Sequence, residues 1–75
     1  MLNTEKNTAA MERRVLRAAK DAARAGEIHA KPRNITTVFE HGQWWIEDRD
    51  SGAQWSACDT NRGFCFEQVT DGQEY

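Results

Sequence analysis

The chain has 75 residues, 39% of them hydrophobic and 29% charged, with a formal net charge of −2. That length limits it to one small domain with a thin stability margin, and the composition excludes an intrinsically disordered chain. No apolar run approaches the roughly 18 residues of a membrane span, and the N-terminus lacks the apolar centre of a signal peptide. Two cysteines make no disulfide scaffold, so a cytoplasmic protein is expected.

The small net charge conceals an asymmetry. Residues 1–34 carry eight Lys/Arg against four Asp/Glu, whereas residues 35–75 carry two against eight. A basic first half and an acidic second half imply either internal attraction or two surfaces for different partners.

Residues 1–7 are polar and expected to fray. Thr8 is a suitable N-cap, and 8–26 is predicted as a helix, because it is dense in Ala, Arg, Leu, Lys and Glu and free of Pro. Gly26 supplies the left-handed residue that ends it. Met11, Val15, Ala18, Ala22 and Ala25 step by four, three, four and three, forming one apolar stripe, which Leu16, Ala19 and Ala23 widen. Arg13, Arg17, Lys20 and Arg24 follow the same steps on nearly the opposite side, with Arg14 beside them. An alanine-rich stripe needs bulk from whatever packs on it.

Residues 27–34 form a connector in which Pro32 holds Lys31 extended. Four strands are predicted at 35–40, 43–48, 53–58 and 64–69, within a sheet region of 35–69, followed by an acidic tail over 70–75. His41-Gly42 suits a two-residue hairpin, Asp50-Ser51-Gly52 a turn closing on a positive-φ glycine, and 59–63 a longer loop. These turns set Phe39 against Trp44, Ile46 against Trp55, and Ala57 against Phe66.

Alternation then gives one face Ile35, Thr37, Phe39, Trp44, Ile46, Trp55, Ala57, Phe64 and Phe66. Large aromatics there complement the small residues of the helix. The expected fold is α+β: one N-terminal helix packed on one face of a three- to four-stranded antiparallel β-meander.

The opposite face is mainly polar, yet it presents Trp45 beside Val38, ringed by Glu40, Glu47 and Glu67. An exposed tryptophan in a polar rim has the composition of a binding hot spot. The glutamates fit either a solvated strand surface or an imitation of a nucleic-acid backbone. The helix stripe of Arg13, Arg14, Arg17, Lys20 and Arg24 is the alternative site, suited to phosphates, although the chain as a whole is acidic.

Cys58 and Cys65 fall opposite each other, in a geometry that permits a cross-strand disulfide under oxidising conditions. Two reduced, partly buried thiols is the expected state. Zinc would need two further ligands, and His29 and His41 stand at no zinc spacing, so neither metal nor cofactor is expected. No nucleophile motif or phosphate loop is present, which points to a non-enzyme.

The runs Trp44-Trp45-Ile46-Glu47-Asp48, Ser51-Gly52-Ala53-Gln54-Trp55 and Gly63-Phe64-Cys65-Phe66-Glu67-Gln68-Val69 resemble small accessory proteins of bacteriophages, prophages and plasmids. The resemblance implies a bacterial cytoplasmic protein that binds a host or phage macromolecule, as inhibitors of host enzymes and defence systems do. It assigns no functional residue. The residues themselves favour a protein-interaction module using the Trp45 face, with a homodimer through that face as one form of it. A nucleic-acid-binding accessory protein using the helix stripe is the competing reading.

Overall fold

The computed structural model describes residues 8–61 and 63–70. The expected frayed start at 1–7 and the tail at 71–75 lie outside the described residues. The helix, α1, runs over Ala9–Arg24. Thr8 caps it in extended conformation, its Oγ1 accepting from the Met11 N–H at 3.0 Å. The far end closes through Gly26 at φ +86°. There the Glu27 N–H donates to the Ala22 carbonyl at 2.9 Å and the Gly26 N–H to Ala23 at 3.2 Å. This is the paired bonding of a Schellman end, which satisfies carbonyls that a helix otherwise leaves open.

The connector holds a 3-10 turn, Pro32–Asn34, entered from an extended Lys31 as the proline requires. Four strands follow: β1 Ile35–Glu40, β2 Gln43–Asp48, β3 Gln54–Thr60 and β4 Gly63–Thr70. They form one antiparallel meander in the order β1-β2-β3-β4. Phe39 pairs with Trp44, Ile46 with Trp55 and Ala57 with Phe66, as the turn signals predict. His41 and Gly42 both take positive φ, 57° and 72°, which is the twist a two-residue hairpin favours.

Helix and sheet bury a common core. Trp44, Ile46, Trp55, Ala57 and Ile35 from the sheet meet Met11, Val15, Ala19 and Ala22 from the helix, while Phe39, Phe64 and Phe66 close its margins. Phe39 sets its ring edge-on to Trp44, with centroids 5.2 Å apart. The molecule is therefore an α+β domain, one helix against a four-stranded antiparallel sheet.

Several details depart from the expected pattern. The helix stripe is turned toward Ala19, which is fully buried, while Ala18 is half-buried and Ala25 exposed. The loop expected over 59–63 shrinks to two residues, because Thr60 pairs with Gly63 and donates its Oγ1 hydrogen to the Gly63 carbonyl at 2.7 Å. Thr70 belongs to β4 rather than the tail. Ile28 in the connector is 2% exposed and joins the core. Val69 is the extra residue where the β3–β4 register shifts: Trp55 pairs with Gln68, but Gln54 pairs with Thr70.

The β2–β3 turn is built around a buried carboxylate. Asp48 accepts from the Asp50 N–H and from Ser51 Oγ, each at 3.0 Å, and Ser51 Oγ accepts from the Ala53 N–H at 3.1 Å. Gly52 completes the turn at φ +84°. Asp48→Ala strands these donors and is expected to cost about 2 kcal/mol, read as a lower urea midpoint at unchanged slope; an unchanged midpoint would show that the turn holds itself.

Candidate functional site

Among the described residues, α1 packs on one face of the sheet and no element covers the other. Successive strand residues alternate sides, so Trp44 inside places Trp45 outside. One rung of the ladder crosses all four strands there, from Val38 to Trp45 to Ser56 to Glu67. Val38 is 39% exposed, Trp45 half-buried, Ser56 buried and Glu67 exposed. The Ser56 hydroxyl donates back to the Glu67 carbonyl at 3.4 Å, which holds this small residue flat between the indole and the glutamate.

Trp45 is pinned. Its Nε1–H donates to the Glu40 carbonyl at 3.0 Å, so the ring lies over the sheet toward the β1–β2 hairpin. The polar edge of the indole is thereby satisfied, and its free surface is apolar. Val38, Glu40, His41, Trp45, Glu47 and Gln54 line a hollow of about 320 Å³ around it. The structure thus brings four of the five predicted partner-binding residues, Trp45, Val38, Glu40 and Glu47, to one hollow. Glu67 lies two strands from Trp45 on the same rung.

Charge separates the two layers. None of the four strands contains a Lys or Arg. Glu40, Glu47 and Glu67 all stand on the outer face, so the charged strand residues there are all anionic. The helix shows the reverse pattern. Arg13, Arg17, Lys20 and Arg24 line a shallow groove along its solvent side. Arg24 is drawn to Asp21 in an exposed ion pair of 2.8 Å, worth little in water. Arg14 leaves the stripe, its guanidinium standing 5.5 Å over the Phe64 ring. Glu12 also turns away, accepting from Thr37 Oγ1 at 3.3 Å. The stripe is therefore four cations, not five.

Comparison with family models, curated proteins and solved structures returned no match. The site therefore rests on its own geometry.

Cys58 and Cys65 occupy the next outer rung and pair directly. Both are free and exposed, rather than partly buried as expected. Partial burial nevertheless pushes the Cys58 thiol up, and the neighbouring Cys65 and Glu67 add to the rise. Among the described residues no group of three or more His, Cys, Asp or Glu could hold a metal ion. Nor is any helix among them long and apolar enough to cross a membrane.

Sequence alternation locates this surface but misses its two organising contacts. The Trp45–Glu40 bond joins a side chain to a backbone carbonyl across a hairpin. The departure of Arg14 toward Phe64 depends on how helix and sheet are rotated. Neither leaves a periodic signal.

Proposed function

We propose that this chain is a small, non-catalytic protein-interaction module that docks a cationic protein on its outer sheet face, with Trp45 as anchor. The observation that carries this reading is an indole pinned on a sheet face that no described element covers and whose charged strand residues are all glutamates. A pre-oriented aromatic loses little freedom on binding, and an apolar anchor inside a polar rim is how interface energy concentrates. Charge selects the partner. A second copy meeting the same face would set glutamate against glutamate, and a phosphate backbone would be repelled, whereas Lys and Arg side chains are attracted. In this reading the partner is a host or phage protein in a bacterial cytoplasm, and the chain is an accessory factor of a mobile element.

One observation favours a second reading. The four-cation groove on α1 faces solvent, and such a stripe can follow phosphates. Salt separates the two. Four phosphate contacts lose roughly a hundredfold in affinity over a fourfold rise in salt, whereas the docking contact loses only the screened attraction of its glutamate rim and keeps the apolar contribution of Trp45.

The test is capture by the full chain from nuclease-treated bacterial lysate. A basic protein is expected on the wild type and on an Arg13/Arg17/Lys20/Arg24 charge-removal variant, and it should be lost with Glu40→Lys/Glu47→Lys. Recovery, without nuclease, of nucleic acid that only the charge-removal variant loses would move the function to the helix.

A further inference from the structure

The outer face carries a chemical feature that docking does not use. The chain has two cysteines, and the fold places them as direct partners on β3 and β4, Cys58 against Cys65. Opposed residues of an antiparallel pair project from the same face, with Cα atoms about 4.5–5.5 Å apart. A disulfide spans about 4.4–6.8 Å between Cα atoms, so the pairing brings the two Cα atoms within range, and closure draws the Cβ atoms together to about 3.5–4.5 Å. The two side chains leave the same face as direct cross-strand neighbours, and both residues are exposed to solvent. Three of the four neighbouring outer positions are small or short, Ser56 and Thr60 on β3 and Gly63 on β4, and the fourth is the longer Glu67.

We propose that Cys58 and Cys65 form a reversible dithiol–disulfide site whose substrates are low-molecular-weight disulfides of the glutathione class. One cysteine, as thiolate, attacks a sulfur of the small disulfide. That S–S bond breaks, a mixed disulfide forms on the protein, and one small thiolate leaves. The second cysteine, as thiolate, then attacks the protein sulfur of the mixed disulfide and releases the other small thiolate. The protein loses two electrons and two protons, and one disulfide becomes two thiols. An exposed pair is of the labile kind that the reverse exchange reopens. Closure ties β4, an edge strand paired only with β3, to the rest of the sheet beside Glu67.

The test equilibrates the full chain in buffers of graded oxidised-to-reduced glutathione ratio, traps free thiols by alkylation and reads the intact mass. Wild type is expected to pass from a doubly alkylated monomer to an unalkylated monomer lighter by two hydrogens, with no glutathione adduct accumulating. Cys58→Ser and Cys65→Ser should each hold one glutathione instead, because the resolving thiol is gone. Wild type that carries stable glutathione, forms disulfide-linked dimers, or alkylates twice at every ratio would overturn the proposal.

Discussion

Trp55→Ala is expected to cost about 3–5 kcal/mol, with Trp44→Ala close behind. The two indoles are 3% and 2% exposed and share their core with Val15, Ala19 and Ala22 of the helix, which are too small to fill the space an indole vacates. A chain of this length has roughly 4–11 kcal/mol of stability in total, and a small core puts it toward the lower end. Either substitution therefore removes half of that margin or all of it. Urea titration followed by far-UV circular dichroism reads the effect directly. Should both variants keep the wild-type midpoint, the pairing of β2 with β3 cannot be as described.

The second large effect falls on binding. Trp45→Ala removes a half-buried ring and one hydrogen bond to the Glu40 carbonyl, leaving no cavity in the core. Its expected cost in stability is only about 1–2 kcal/mol. Its expected cost in partner binding is near-complete loss, since one central aromatic commonly carries several kcal/mol of an interface. Under the proposed function the neighbouring tryptophans separate, Trp44 serving the fold and Trp45 the docking contact. A Trp45→Ala protein that melts as early as Trp44→Ala would assign the ring to the fold instead.

The inward placement of Trp44 and outward placement of Trp45 were legible in the sequence because alternation in a strand has a period of two, and a hairpin with His41-Gly42 at its tip leaves few registers that bury both Trp44 and Ile46. Once those two are inside, Val38, Trp45 and Glu47 are outside. The helix was less legible in rotation than in extent. Thr8 and Gly26 mark its ends by side-chain and backbone chemistry, but nearly every candidate for its buried stripe is alanine, so composition did not distinguish Ala18 from Ala19. The aromatic side chains of the sheet decide that choice. Ile28 was missed because it lies beyond the periodic segment, although an apolar residue just after a Schellman glycine is a signal in itself. The short β3–β4 turn was hidden by loop-like composition, since Thr60 and Gly63 read as loop residues until the Thr60 hydroxyl is seen to bond across the hairpin. Asp48 was read only as a strand residue, and its role in organising the following turn depends on Ser51 standing three positions on.

Hydroxyl-radical footprinting of the captured complex tests the docking surface most directly. The account predicts that oxidation of Trp45 and Val38 falls on binding, while the helix peptide spanning Arg13 to Arg24 keeps its free-state reactivity. Protection confined to the helix peptide, with Trp45 as reactive in the complex as alone, would contradict it.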